Sequence, residues 1–216
     1  NVVKDLIKRG CDIFHKNHHQ STTLMKACKS GFIDIVKELV TLGILINEED
    51  SYGRTALSIA AKLGFYEIVE FLCSKGATVE NIDEEGRTAL MWASREGFYK
   101  VVEILIKYKS DCNLKDKSGQ TSLMLAAKNG HYEVVKILLA NDAKHQLRNW
   151  YGSTALNYAA REGFYNIVKE LVENDADINS SDLEGRTPLM LACKGGFIDI
   201  VKLLVSRNAE LNLMNK

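Results

Sequence analysis

The residues whose types could do chemistry recur in columns along the chain and do not converge on one cluster. Nucleophilic and acid–base catalysis need Ser or Cys, His and carboxylate groups around a single pocket. Here the acidic residues fall mainly on predicted turns and outer helix faces. The glycine strings that cradle phosphates, G-x-x-x-x-G-K-[ST] and G-x-G-x-x-G, do not occur. The sequence therefore predicts that this chain is not an enzyme and holds no cofactor.

A run of histidines beside two cysteines has the composition of a metal site. His15, His18 and His19 lie near Cys11 and Cys28, but they fall in an irregular first hairpin and no C-x-x-C pair accompanies them. No metal site is predicted. An odd, scattered set of cysteines favours buried thiols in a reducing compartment, so we expect a cytoplasmic protein, with a nuclear location left open. The five are Cys11, Cys28, Cys73, Cys112 and Cys193.

Neither the net charge nor the hydropathy of the chain favours nucleic acid or a membrane as a partner. The 216 residues include 28 Lys and Arg and 28 Asp and Glu, which gives a formal net charge of +0. Net charge thus offers no reason to expect nucleic acid or an anionic surface. No apolar run approaches the roughly 18 residues of a membrane-spanning helix, so no membrane insertion is predicted.

The elements that must position these residues repeat every 33 positions. Such a period indicates stacked supersecondary units, each too small to bury a core alone. Threonine recurs at Thr22, Thr55, Thr88, Thr121, Thr154 and Thr187, alanine at Ala27, Ala60, Ala93, Ala126, Ala159 and Ala192, and glycine at Gly31, Gly64, Gly97, Gly130, Gly163 and Gly196.

Residues 50–82 show how one unit is predicted to fold. Asp50 and Gly53 occupy the first and fourth positions that a type I turn prefers. Thr55 then stands where a helix N-cap is wanted, and a short first helix over 56–63 ends at Gly64. A second, amphipathic helix follows and ends at Gly76. Among the equivalents of Gly76, Lys109 is the residue least suited to a left-handed backbone.

The string Asp83-x-x-Gly86-x-Thr88-x-Leu90-x-x-Ala93, followed by Gly97, resembles the ankyrin pattern D-x-x-G-x-T-P-L-H-x-A-A-x-x-G. The resemblance covers essentially the whole chain. It implies an all-α repeat solenoid of stacked helix–turn–helix units with short β-hairpin or turn fingers. The predicted boundaries are 1–16 as the second half of a truncated repeat, full repeats at 17–49, 50–82, 83–115, 116–148, 149–181 and 182–214, and 215–216 as the start of a tail or further repeat.

Both ends are expected to be cut from a longer polypeptide that contains a monomeric array. The chain begins at Asn1 without Met, and its terminal helix faces stay apolar where a solenoid cap would be polar.

Several columns depart from the ankyrin pattern, and the usual Pro survives only as Pro188. The position of the usual first-helix His holds Met25, Ser58, Met91, Met124, Asn157 and Met190, so Met packing is expected in place of a His hydrogen-bond network. A second column, expected to form an aromatic ladder between repeats, holds Phe32, Phe65, Phe98, His131, Phe164 and Phe197.

The resemblance implies that binding uses a concave groove lined by turn tips and first helices. A basic column runs through Lys29, Lys62, Arg95, Lys128, Arg161 and Lys194, and it also suits the C-terminal end of a helix without any ligand. Trp92, Trp150, Tyr151 and Tyr158 have no evident core role and are predicted contact residues. The predicted partner-binding set is Arg54, Lys62, Arg87, Trp92, Arg95, Lys128, Trp150, Tyr151, Tyr158, Arg161, Arg186 and Lys194.

The sequence predicts a non-catalytic protein–protein interaction scaffold that binds a protein or peptide segment, with acidic character favoured, centred on residues 83–181. One alternative is the recognition arm of a larger enzyme or channel whose working domain lies outside this chain. A second is a nucleotide- or oligonucleotide-binding array, in which Trp92 or Tyr158 would stack on a base beside the basic column.

Overall fold

The computed structural model describes residues 12–211, which contain twelve α-helices in six consecutive pairs and no β-strand. The predictions on residues 1–11 of the truncated first repeat and on 215–216 lie outside this range. The helices are α1 (Thr23–Ser30), α2 (Ile33–Thr41), α3 (Ala56–Lys62), α4 (Tyr66–Ser74), α5 (Ala89–Glu96), α6 (Tyr99–Lys107), α7 (Ser122–Lys128), α8 (Tyr132–Leu139), α9 (Ala155–Glu162), α10 (Tyr165–Glu173), α11 (Pro188–Gly195) and α12 (Ile198–Ser206). The all-α repeat solenoid is confirmed.

The described chain divides into two compact units. The first runs to Ala93 and includes Lys100–Asp111, and the second takes Ser94–Tyr99 and the described residues from Cys112 onward. In the first unit α1 packs on α3 and α2 on α4, so first helices contact first helices and second helices contact second helices. The second unit repeats this arrangement, with α7, α9 and α11 in one layer and α8, α10 and α12 in the other. The fully buried Ala60, Ala126 and Ala159 allow the first helices to approach closely.

Each first helix begins at a threonine cap, as predicted. The Thr55 hydroxyl oxygen accepts the backbone N–H of Ser58 at 3.2 Å, and Thr121 accepts that of Met124 at 3.3 Å. The side chains of Ser58 and Asn157 in turn accept the backbone N–H of the cap residue, which completes a capping box. The same cap bond is made by Thr22, Thr88, Thr154 and Thr187.

An aromatic side chain of the following repeat packs against the glycine that ends a first helix. A Cβ built on Gly31 would lie 2.8 Å from the Phe65 ring, and one on Gly130 would lie 2.7 Å from the Phe164 ring. These glycines also have positive φ, so two requirements exclude larger residues. The predicted ladder is confirmed at these contacts. Phe32, which is 59% exposed, departs from it.

Lys109 adopts the left-handed backbone conformation that its side chain disfavours. Its φ is +71°, beside +87° at Gly76 and +61° at Asp142. Lys109 is the residue least suited to this conformation among these equivalents, and it adopts it because the turn after α6 imposes its geometry on whichever residue stands there.

The variants Thr121→Val and Ala126→Leu test the helix cap and the interface between first helices separately. Thr121→Val removes the oxygen that accepts the Met124 N–H and should lower the free energy of unfolding by about 1 kcal/mol. Ala126 is fully buried between first helices, so Ala126→Leu should cost more, about 1–3 kcal/mol, by overpacking. Urea unfolding of both variants tests this order, and the reverse ranking would contradict it.

Candidate functional site

The turn before each first helix, called a finger here, is built around one acidic or amide side chain. Asp50 Oδ1 accepts the backbone N–H groups of Tyr52 at 2.9 Å and Arg54 at 3.0 Å. The Gly53 N–H donates to the Asp50 carbonyl at 2.9 Å, and the Asp50 N–H donates to the Arg54 carbonyl at 3.0 Å. The fingers span 17–21, 50–54, 83–87, 116–120, 149–153 and 182–186, and the same two side-chain bonds form at Asn17, Asp83, Asp116, Asn149 and Asp182.

Neighbouring fingers within each unit are joined by single backbone hydrogen bonds. In the first unit the Glu84 N–H donates to the Tyr52 carbonyl at 2.9 Å. In the second, the Leu183 N–H donates to the Tyr151 carbonyl at 3.0 Å. No strand occurs within the described fingers, so they take the turn form of the prediction and not its β-hairpin form.

The second oxygen of the finger carboxylate accepts a hydrogen bond from an arginine in some repeats and from a tryptophan in another. The Arg54 guanidinium donates to Asp50 Oδ2 at 2.6 and 2.9 Å, and Arg186 donates to Asp182 Oδ2 at 2.8 Å. In the 83–87 finger the donor is the Trp92 indole N–H, at 2.7 Å from Asp83 Oδ2.

Tyr158 occupies the register position of Trp92 two repeats later and has a similar role. Its hydroxyl oxygen accepts the side-chain amide of Asn149 at 2.7 Å and that of Gln120 at 3.0 Å. Trp92 is 4% exposed and Tyr158 is 6% exposed. The expectation that these two aromatic residues have no core role is wrong, because each ties a finger to its own helix. Their assignment to partner binding stays a prediction.

Burial alone would raise the pKa of Asp50, but hydrogen bonds outweigh it. The Arg54 side chain and the backbone N–H groups of Arg54 and Tyr52 stabilise the carboxylate, and together they lower its pKa. A hydrogen bond from Arg186 to Asp182 likewise raises the pKa of the Arg186 guanidinium. These arginines, predicted as contact residues, act first as finger supports.

Arg87, at the register position of Arg54, lies beside the Trp92 indole. Its guanidinium forms an ion pair with Glu85 at 2.6 Å and lies 4.9 Å from the centroid of the Trp92 ring.

The basic column is exposed except at Arg95, which is half-buried. The Lys62 ammonium lies 3.7 Å from the centroid of the Trp92 ring, and Lys128 and Arg161 lie 5.5 and 4.9 Å from that of Tyr158. Within the part of the chain that the structure describes, Lys29 and Lys194 have no carboxylate within ion-pair distance. The column therefore places cations over the rings of Trp92 and Tyr158, and its first and last members keep positive charges that are unpaired among residues 12–211.

The fingertips of the second unit carry the exposed aromatic residues. Trp150 is 59% and Tyr151 is 68% exposed, and Leu183, which the sequence reading did not single out, is 68% exposed on the next finger. The Trp150 indole N–H donates to the Lys117 carbonyl at 3.0 Å, and its ring packs over Gly119. Trp150 is therefore a fixed exposed surface.

A pocket of about 360 Å³ lies within the first unit, between α1, α3 and the first two fingers. Lys26, Lys29 and Lys62 line it together with Tyr52 and Trp92. Lys26, Lys29 and Tyr52 were not among the predicted contact residues. The spacing of Lys26 and Lys29 on one helix face was the available signal.

The sequence profile of the ankyrin repeats family matches residues 1–83, 78–149 and 123–215. The chain belongs to the ankyrin repeat family. A search of curated proteins gave no match. Ankyrin repeats are generally protein–protein interaction modules, and the family is typically non-catalytic.

One part of the expected ankyrin hydrogen-bond network persists without histidine. The Asn157 side-chain amide donates to the Ser180 carbonyl of its own repeat at 3.0 Å and to the Arg186 carbonyl of the next repeat at 3.5 Å, in addition to its role at the Thr154 cap. Met25, Met91 and Met124 are buried at the equivalent positions. The expectation of Met packing holds there, and the expected loss of cross-repeat hydrogen bonds is wrong at Asn157.

Other chemistry-bearing residues of this ankyrin array are dispersed. Burial raises the pKa of the Cys28 thiol to about 12, while Cys193 is exposed and Cys11 lies outside the described residues. Residues 12–211 contain no cluster of three or more metal-binding side chains. No helix in this range is long and apolar enough to span a membrane.

Substitutions at Asp50 test the finger carboxylate. At neutral pH, Asp50→Ala should lower the free energy of unfolding by about 2–3 kcal/mol because two backbone N–H groups lose their acceptor. Asp50→Asn keeps that acceptor, as Asn149 does naturally, and should cost about 1 kcal/mol. Since the folded-state pKa is lowered, the carboxylate stabilises the fold above its unfolded-state value near 3.9, and this contribution is lost as the pH falls through the folded-state pKa. Urea unfolding should show the wild type and Asp50→Asn converging in acid, and a constant difference would contradict the ion-pair account.

Trp92→Phe tests the hydrogen bond between the indole and the Asp83 carboxylate. It removes the donor to Asp83 Oδ2 and should lower the free energy of unfolding by about 1.5–3 kcal/mol, as expected for a hydrogen bond to a charged group. Trp150→Phe is the matched control, since it removes an indole bond at an exposed position and should cost less than about 1 kcal/mol. Equal losses in urea unfolding would contradict a structural role specific to Trp92.

Proposed function

We propose that this ankyrin array is a non-catalytic scaffold that binds a protein or peptide segment on the side formed by its fingers and first helices. The observation that carries the proposal is the fixed exposure of Trp150 and Tyr151 at the tip of one finger. Large apolar side chains are costly to leave in water, and Trp and Tyr are the residue types that anchor interfaces. Leu183 on the adjacent finger extends the same apolar patch.

Charge on the same elements favours a segment with acidic side chains. The basic column adds exposed cations along the first helices, and neither Lys29 nor Lys194 has an ion-pair partner within residues 12–211. Rim cations of this kind steer an acidic partner and set its orientation more than they add affinity.

The nucleotide alternative is less well supported. A base needs an open aromatic face to stack on. Trp92 carries Lys62 over its ring, and Tyr158 carries Lys128 and Arg161. The alternative of a recognition arm concerns residues outside this chain and is compatible with the binding role. The cytoplasmic location and the centring of the site on residues 83–181 stay predictions.

Alanine variants at the fingertip test the proposal. A partner captured with the intact array should lose more than about 1 kcal/mol of binding free energy, roughly fivefold in Kd, for each of Trp150→Ala and Tyr151→Ala. Trp92→Ala is not a clean test, because that side chain holds the Asp83 finger. Arg161→Glu should act mainly on the association rate and its salt dependence.

Second-helix variants serve as the control for that titration. Lys136 and Lys169 are exposed on α8 and α10, away from the fingers. Lys136→Ala and Lys169→Ala should leave the Kd unchanged at both low and high salt. Loss of binding in these two variants, with binding kept in Trp150→Ala, would place the partner on the opposite face and overturn the proposal.

A further inference from the structure

The pocket in the first unit has a cationic rim without a balancing carboxylate. Lys26 and Lys29 approach it from α1, Arg54 from the second finger and Lys62 from α3. None of the described residues that line it is Asp or Glu. This local excess of positive charge is built into a chain whose formal net charge is +0.

The four cations are not equally available. Arg54 is bound to the buried Asp50 carboxylate, and Lys62 lies over the Trp92 ring. Lys26 and Lys29 have no ion-pair partner and no ring contact within residues 12–211. They stand three residues apart on α1, so their ammonium groups share one helix face. These two lysines are therefore free to bind an anionic ligand group.

Apolar side chains form part of the pocket lining. Met25 and Trp92 are buried and Ile59 is half-buried, and they line it together with polar residues such as Ser21 and Ser58. A volume of about 360 Å³ lies within the range of sites that enclose a ligand group. Apolar lining beside unpaired cations fits a ligand that presents an apolar group between negative charges.

We propose that this pocket binds a peptide segment in which acidic side chains flank one apolar side chain. The apolar side chain enters between Met25, Ile59 and Trp92, and the flanking carboxylates pair with Lys26 and Lys29. The inference rests on the proposed peptide-binding function and gives it a defined anchor in the first unit, separate from the fingertip patch around Trp150.

A nucleotide fits the pocket less well than a peptide. The two aromatic rings that line it, Tyr52 and Trp92, each have a cation of this chain over the ring, Arg54 at 4.7 Å and Lys62 at 3.7 Å. A base would have to displace these cations before stacking. Carboxylates need only meet the free ammonium groups on α1.

Tryptophan fluorescence reports directly on the pocket. The chain has 2 tryptophans, so Trp150→Phe leaves Trp92 as the single tryptophan, and excitation at the red edge of its absorption avoids the tyrosines. The probe is a synthetic peptide with one leucine between three glutamates on each side. We expect its addition to change Trp92 emission with saturation, and no change up to about 1 mM, which corresponds to a binding free energy near −4 kcal/mol, overturns the inference.

Charge reversal on α1 is the decisive variant. In the Trp150→Phe background, Lys26→Glu with Lys29→Glu should weaken the peptide at least about tenfold, because two attractions become repulsions. Lys37→Glu with Lys100→Glu makes the same change in net charge on second helices of the same unit and should leave the Kd unchanged. If the reversed protein does not show the helical circular dichroism of the parent, the Lys26→Gln and Lys29→Gln pair replaces it, with a loss of about threefold expected.

Three results contradict the inference and leave the fingertip proposal standing. The first is equal weakening by the α1 pair and the second-helix pair, which indicates bulk charge. The second is equal affinity for a peptide with serine in place of leucine, which would show that the pocket does not select an apolar side chain. The third is tighter binding of ATP than of the peptide, which assigns the pocket to a nucleotide. The Trp150→Ala titration against the captured partner fails or succeeds independently of all three.

Discussion

A carboxylate or amide at the base of each finger, buried in all of them except the first, is the constraint on which the fingers depend. At Asp50 one oxygen fixes two backbone N–H groups, and the other oxygen must find a donor because burial without one would be costly. The same Oδ1 geometry recurs at Asn149 with an amide in place of the carboxylate. This side chain sets the turn, and the turn delivers the chain to the threonine cap that starts the next helix.

The choice of second donor decides which nearby residues remain available to a partner. Where Arg54 and Arg186 pair with their finger aspartates, the guanidinium is committed within the fold. In the 83–87 finger, where the Trp92 indole donates to Asp83, Arg87 pairs with Glu85 and lies over the indole ring. The side chains that the proposals assign to a partner remain exposed outside these pairs: the tip aromatic residues of the second unit, and the lysines of α1, which pair with no carboxylate among residues 12–211.

Periodicity was sufficient to predict the helix pairs, the threonine caps and the aromatic contacts on the helix-ending glycines, because each depends on residues at fixed spacing. The burial of Trp92 and Tyr158 could not be read in this way. Their indole and hydroxyl groups meet finger atoms nine residues earlier, and that contact depends on how the finger folds back over its helix. The pocket was missed for a related reason, since Lys26 and Tyr52 come together only when two repeats pack. Lys109 shows the converse, because a required backbone geometry overrode the preference of the residue.

Amide hydrogen exchange at the fingers tests most directly whether these side chains hold the fingers rigid. The Arg54 and Ser153 amides, which donate to Asp50 and Asn149, should exchange far more slowly than the same residues in an unstructured peptide. In Asp50→Ala that protection should be lost at Arg54 and kept at Ser153. Finger amides that exchange at unstructured rates in the unmodified protein would contradict the account, because the fingers would then be mobile loops.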